Sequence, residues 1–150
     1  MVKLFDTKYN CTGCTSCKTI CPQNAISMIA DEEGFLYPSI NDDVCINCNK
    51  CIYVCPLKNP VNFEKLIDPI VYAIKHKSED IRINSTSGGV FTAISDKTLE
   101  SNGVVYGVAY NKDMEVIHKA AYTKDARNEL RGSKYVQSRL EDIYREIIDK

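Results

Sequence analysis

The sequence has 150 residues, 44% of them hydrophobic and 26% charged, as in an ordinary soluble globular protein of one or two small domains. The formal net charge of -1 argues against a nucleic-acid-binding surface, and no stretch approaches the length of about 20 apolar residues that a membrane span needs. The N-terminal residues lack the apolar core and cleavage site of a secretory signal. We therefore expect a cytoplasmic protein with no nucleic-acid partner and no membrane span.

Eight cysteines dominate the first part of the chain, in two runs of identical spacing. The runs are Cys11-x2-Cys14-x2-Cys17-x3-Cys21-Pro22 and Cys45-x2-Cys48-x2-Cys51-x3-Cys55-Pro56. The second run follows the first at an offset of 34 residues, and together they use every cysteine of the chain. Gly13 and Asn47 occupy equivalent positions, and these are the residue types that best tolerate a left-handed backbone. The pattern indicates an internal repeat built around sulfur ligands.

This spacing resembles that of the bacterial two-cluster ferredoxins, and the resemblance covers residues 1–60. In such proteins each run supplies three thiolates to one 4Fe-4S cluster, and its last cysteine crosses to the other cluster. The resemblance therefore implies one cluster held by Cys11, Cys14, Cys17 and Cys55, and a second held by Cys45, Cys48, Cys51 and Cys21. Two alternatives are disulfides, which the missing secretory signal disfavours, and zinc, whose modules usually present separated C-x2-C pairs.

The rest of residues 1–60 predicts a small lobe around these ligands. Two short strands are expected at 25–29 and 35–40, joined by a turn at 31–34 in which Gly34 takes a positive φ. Single helical turns are expected at 18–20 and 52–54. A lobe of about 60 residues buries little apolar surface, so we expect the clusters to stabilise it and the cluster-free lobe to be disordered.

Residues 61–69 are predicted to be a linker, and residues 70–150 a second unit. The apolar run 70–76 predicts a strand buried on both faces. A helix is expected at 90–100, a hairpin at 104–110 and 115–122, and a helix at 125–131 capped by Gly132. The last stretch predicts an amphipathic helix that begins with a capping box of Ser138 and Glu141. Its apolar stripe ends abruptly at Lys150, which suggests a domain that is cut short.

The fold class predicted from these elements is α+β. It consists of a ferredoxin-like domain followed by a partial α/β domain with a mixed sheet and helices. Within the second unit, Ser87, Gly88 and Gly89 lie between a predicted strand and a predicted helix. Such a loop is suited to binding an anion, because free N–H groups and the helix dipole both point outward. The alternative is that Ser87 only caps the helix and the glycines only form a turn.

Three blocks of the second unit resemble the coenzyme F420 hydrogenase/dehydrogenase beta-subunit family. They are NSTSGGVFT at 84–92, VYGVAY at 105–110 and LRGSKYVQS at 130–138. The resemblance implies a flavin-associated domain, with FAD bound beside Thr86, Ser87, Gly88, Gly89, Ser133, Lys134 and Tyr135. Members of that family continue past this point, so the FAD site is expected to need residues beyond 150.

Together the two resemblances imply an oxidoreductase subunit. It would pass electrons between two 4Fe-4S clusters, FAD and a hydride carrier such as coenzyme F420 or another substrate. The expected partners are a redox protein or other oxidoreductase subunits. No catalytic acid or base is predicted, and His76 and His118 are expected to have packing or surface roles. The alternative is an electron-transfer or docking module with no chemistry of its own.

Overall fold

The computed structural model describes residues 2–60 and 69–150, which form two compact units. The N-terminal unit contains residues 2–60 and Leu140–Lys150, and the second unit contains residues 69–139. The predicted α+β class is confirmed, since short helices accompany two antiparallel sheets of two strands each. Almost all of the predicted linker, residues 61–68, lies outside the described residues. No helix within the described ranges is long and apolar enough to cross a membrane.

The N-terminal unit contains the predicted hairpin. Strand β1 (Ile26–Ala30) pairs antiparallel with strand β2 (Leu36–Ile40). The turn forms because the Asp31 carboxylate accepts hydrogen bonds at 3.0 Å from the backbone N–H groups of Glu33 and Phe35. Gly34 has φ +88°, which is the positive value predicted for it.

Two short helices follow equivalent positions of the repeat. Helix α1 (Ser16–Ile20) begins after Thr15, and helix α2 (Lys50–Tyr53) begins after Asn49, both residues being left-handed with φ near 60°. The helices thus overlap the predicted helical turns. The buried core beside them is small and consists of Leu4, Ile26 and Cys51. Its limited size supports the expectation that apolar burial alone stabilises this unit only weakly.

The C-terminal helix α6 (Ile143–Ile148) groups with the N-terminal unit, whereas the predicted second domain had included it. Ile143 is buried, and Arg145 Nη2 donates a hydrogen bond of 3.0 Å to Asn24 Oδ1. The predicted capping box is wrong. Glu141 has φ +45°, which is not helical, and the Ser138 hydroxyl is instead 2.9 Å from His118 Nδ1.

The second unit is built on the other predicted hairpin. Strand β3 (Val105–Tyr110) pairs antiparallel with strand β4 (Val116–Ala121). The Asn111 side chain closes the turn by accepting hydrogen bonds from the N–H groups of Asp113 and Glu115. The predicted mixed sheet is not formed by the described residues, where the one parallel feature is an isolated bridge between Ile117 and Arg139.

Three helices complete the second unit. Helix α4 (Val90–Glu100) has the predicted position. Helix α5 (Lys124–Asn128) is shorter than predicted, although Gly132 does have a positive φ of +79°. Helix α3 (Glu79–Ile83) was missed, despite an N-cap signal in Ser78, whose hydroxyl accepts from the N–H of Ile81.

The apolar segment 70–76 is not a strand, and its predicted burial on both faces is wrong. Val71 is 88% exposed, and Ile70 and Tyr72 are also exposed. Within the described ranges, the segment joins no strand ladder. An apolar run is buried only where another part of the protein packs against it, and the sequence pattern alone does not show whether such packing occurs. The segment does approach Gly88, where an added Cβ would lie 2.7 Å from the carbonyl oxygen of Ile74.

Arg127 ties helix α5 to helix α4 through a buried polar network. Its side chain is almost fully buried and forms an ion pair with Asp96 at 2.7 Å. It also donates to the Ser95 hydroxyl at 2.6 Å and to the Thr92 carbonyl at 3.0 Å. Removing the guanidinium would leave several partners without a donor.

We therefore expect Arg127→Leu to lower the free energy of unfolding of the second unit by about 3 kcal/mol. The matched control is Lys124→Leu on the same helix. Lys124 pairs with Glu100 at 3.0 Å in an exposed position, so its loss should change stability little. Urea denaturation followed by circular dichroism measures both. If the two substitutions lower the free energy of unfolding equally, the buried network contributes no more to stability than the exposed ion pair, which would contradict this prediction.

Candidate metal centres and a second pocket

The eight cysteines line two separate cavities in the N-terminal unit. Each cavity receives three cysteines of one run and the last cysteine of the other run. The first cavity is lined by Cys11, Cys14, Cys17 and Cys55. The second is lined by Cys45, Cys48, Cys51 and Cys21. The fold thus brings together the two sets of four cysteines that the resemblance to two-cluster ferredoxins implied.

Backbone N–H groups lie close to several of these sulfurs. The N–H of Gly13 donates to Cys11 Sγ at 3.4 Å, and the N–H of Ala25 donates to Cys21 Sγ at 3.3 Å. Gly13 and Asn47 have φ of 66° and 53°, so both are left-handed, as the repeat predicted. N–H groups directed at sulfur stabilise negative charge there, which favours thiolates and tunes a bound cluster.

The protein environment shifts the thiol pKa values of the first cavity in different directions. Burial raises the pKa of Cys17 to about 12, and burial also raises the pKa of Cys11. At Cys14 burial likewise acts to raise the pKa, but hydrogen bonds from Ser16 and Thr12 outweigh it and the pKa is lowered. The raised pKa values mean that Cys11 and Cys17 hold their protons more tightly than a free thiol does, and metal binding must displace those protons.

The donor set and the cavity walls fit an iron–sulfur cluster. Thiolate sulfur is the ligand type that such clusters use, and both cavities hold four cysteines. The walls are otherwise largely apolar, with Leu4, Phe5 and Met28 in the first cavity. Among the described residues, no three His, Cys, Asp or Glu side chains group as ligands of a single metal ion. Four cysteines instead line each of the two cavities.

A pocket of about 220 Å³ in the second unit contains part of the predicted flavin site. Its lining includes Thr86, Ser87 and Gly89 from the loop before helix α4, together with Ser133. Arg131 also lines this pocket. It was not among the predicted site residues, because nothing in the sequence distinguished it from a surface arginine. The arginine is held by a hydrogen bond of 3.2 Å from its Nε to the Thr92 hydroxyl.

The other predicted flavin residues lie outside the lining of this pocket. Gly88 packs against the backbone of Ile74. Lys134 Nζ donates to the carbonyl oxygens of Glu129 and Arg131, at 3.2 and 2.8 Å, and burial lowers its pKa. Tyr135 is 93% exposed. The structure therefore brings four of the seven predicted residues together.

Comparison with known proteins locates a 4Fe-4S dicluster domain at residues 10–59. Over 49 residues the chain is 37% identical to one component of the Na(+)-translocating ferredoxin:NAD(+) oxidoreductase complex of Acetobacterium woodii, a match that covers 33% of this chain and 14% of that protein. Over 48 residues it is 42% identical to an uncharacterized ferredoxin of Methanocaldococcus jannaschii, which covers 31% of this chain and 26% of the relative. The chain thus matches less than a third of the length of either relative.

The matched dicluster domain covers the part of the chain that contains the two cysteine runs. The spacing of the cysteines, the grouping of their sulfurs and the matched domain all concern the same 50 or so residues. Residues 10–59 are a ferredoxin-type 4Fe-4S dicluster domain, an iron–sulfur module for electron transfer.

Proposed function

We propose that the chain is an iron–sulfur flavoprotein oxidoreductase subunit, in which two 4Fe-4S clusters exchange electrons with FAD held by the second unit. The observation that carries the proposal is the pair of four-cysteine cavities in a ferredoxin-type domain. Cys11, Cys14, Cys17 and Cys55 would hold one cluster. Cys45, Cys48, Cys51 and Cys21 would hold the other.

When bound, each cluster supplies one-electron chemistry at a potential set by its surroundings. The residues of the chain provide those surroundings. The N–H groups of Gly13 and Ala25 lie against ligand sulfurs, while apolar side chains such as Leu4 and Phe5 limit access of water. No side chain needs to act as an acid or base, since the cysteines serve only as ligands.

The pocket of the second unit supports the flavin part of the proposal. Ser87 and Gly89 line it at the N-terminus of helix α4, and Arg131 adds a positive charge. This combination suits a phosphate group, because helix N–H groups and a guanidinium both bind such oxygens well. Its volume of about 220 Å³ matches part of FAD, such as its diphosphate, and not the whole molecule. A flavin would couple one-electron transfer to a hydride carrier such as coenzyme F420.

The proposed partners are other oxidoreductase subunits or a soluble redox protein. The Acetobacterium woodii relative is named as one component of a complex, which supports this expectation. Two clusters with four thiolates each would bring the formal charge of the chain to about -5. A partner with a basic docking surface would then associate faster at low ionic strength.

A second candidate is an electron-transfer or docking module without chemistry of its own. The observation that favours it is the small pocket, with Lys134 and Tyr135 outside its lining. In this case the second unit would only bind the partner enzyme. The two candidates share the clusters and differ in whether a flavin binds.

Titration with FAD under anaerobic conditions separates the two candidates. We expect FAD fluorescence to be quenched on binding, and we expect Arg131→Met to weaken binding about tenfold or more, since a charge-assisted contact to phosphate is lost. The matched control is Arg139→Met, which removes an arginine paired with Glu115 at 2.9 Å outside the pocket. Protein that holds both clusters and does not bind FAD, tested with any residues that follow position 150 included, would contradict the flavoprotein and favour the docking module.

A further inference from the structure

Thr15 carries a buried hydroxyl with no assigned role. The residue is only 5% exposed, and it lies between Cys14 and Ser16 in the lining of the first cavity. Its Oγ1 is fully buried and has no hydrogen-bond partner among the described residues. Buried hydroxyl groups are normally paired, because losing water without gaining another partner is unfavourable.

The backbone of Thr15 has a conformation that is unfavourable for a threonine. Its φ is 61°, a left-handed value that β-branched residues rarely adopt and that glycine or asparagine would adopt more easily. Asn49 occupies the equivalent position of the repeat with φ 60°, but it is exposed. A strained position that nevertheless carries a threonine indicates that its side chain contributes something glycine lacks.

The structure excludes helix capping as the role of the Thr15 hydroxyl. Thr15 precedes helix α1, yet its hydroxyl accepts no hydrogen bond from the helix backbone. Its carbonyl oxygen is satisfied by the N–H of Thr19 at 3.0 Å and by the Thr19 hydroxyl at 3.3 Å. The Thr15 hydroxyl is left without a partner in the described part of the chain, and the residue lies against the cavity that four cysteines surround.

We propose that the Thr15 hydroxyl donates a hydrogen bond to sulfur of the cluster bound by Cys11, Cys14, Cys17 and Cys55, and thereby raises the reduction potential of that cluster. The inference rests on the proposed function, since it requires the cluster. Reduction adds negative charge to the cluster, so a hydrogen-bond donor stabilises the reduced form more than the oxidised form. Thr15 is a positioning and tuning residue, not a ligand.

The test compares three variants of the full chain with both clusters loaded. Thr15→Val keeps the shape and removes the hydroxyl, and Thr15→Ser keeps the hydroxyl. Thr19→Val removes a hydroxyl that donates to the Thr15 carbonyl oxygen but belongs to a residue outside the cavity lining, so it controls for a loosened Thr15 backbone. A redox titration followed by electron paramagnetic resonance measures both clusters. We expect Thr15→Val to shift one cluster, the one absent in Cys55→Ala, to lower potential. Thr15→Ser and Thr19→Val should leave both potentials close to those of the unmodified chain.

If the reduction potentials in Thr15→Val are unchanged and about eight irons are still bound, the inference is overturned. The proposed function, which requires only the two clusters, would not be affected by that result. An equal shift of both clusters would also overturn the inference. If Thr15→Val does not load fully, Thr15→Ala gives the same comparison with less bulk. Loss of this one cluster from both variants, with retention in Thr15→Ser, would support a contact between the hydroxyl and the cluster. An unmodified chain without iron would instead contradict the proposed function itself.

Discussion

Cys55→Ala is expected to destroy the cluster of the first cavity and to spare the cluster of its sequence neighbours. The bound iron should fall from about eight to about four atoms per chain. The reason is that Cys55 lines the cavity of Cys11, Cys14 and Cys17, although it follows Cys51 by only a few residues. Iron analysis of anaerobically purified protein measures the loss.

Double variants reveal which cluster has been lost. Adding Cys11→Ala to Cys55→Ala should cost no further iron, because both residues belong to one cavity. Adding Cys45→Ala should remove nearly all the iron, since Cys45 lines the other cavity. The opposite pattern would mean that each run binds its own cluster. Cys21→Ala is the matched single variant for the second cavity.

Removal of the clusters is expected to unfold the N-terminal unit and to leave the second unit folded. The N-terminal core cluster has Leu4, Ile26 and Cys51 as its buried residues, and Ala25 and Ile143 are also buried in the described part of this unit. This apolar burial is small against the conformational entropy that the unit loses on folding. The core cluster of the second unit, with Ala109, Ala121 and Leu130 as its buried residues, is no larger, but this unit also has the buried network of Arg127, which includes no cysteine.

Hydrogen exchange before and after removal of iron with an oxidant and a chelator tests this difference. Amides of β1, β2 and α6 should lose protection, because all three elements belong to the N-terminal unit. Amides of the β3–β4 hairpin should retain protection and serve as the internal control. Protected β1 and β2 amides in the iron-free chain would contradict a cluster-dependent fold. Loss of protection in both units would contradict their independence.

Local signals in the sequence explain which elements were predictable. The hairpin turn at Asp31 and Gly34 depends on a side-chain acceptor and a positive φ, both of which are properties of residues within a few positions. The repeated spacing of the cysteines is also local, and the resemblance to two-cluster ferredoxins that it supports implied how they group. Helix α4 follows two glycines, and it was predicted with its observed limits.

Features that depend on long-range packing were not predictable from the same signals. The apolar composition of 70–76 suggested burial, but the structure leaves Val71 exposed. A C-terminal helix was predicted, but α6 leaves Ile147 and Ile148 of the predicted apolar stripe exposed. The unit that α6 joins depends on contacts such as that of Arg145 with Asn24, 121 positions away. The unpaired hydroxyl of Thr15 likewise follows from burial, which the spacing of the cysteines does not reveal.

The most direct test of two-cluster electron transfer is chemical analysis of the chain purified without oxygen, together with its spectrum before and after dithionite. We expect about eight irons and eight acid-labile sulfides per chain, and a brown colour that dithionite bleaches. A colourless protein with zinc in place of iron, or iron without labile sulfide, would contradict the assignment of both cavities.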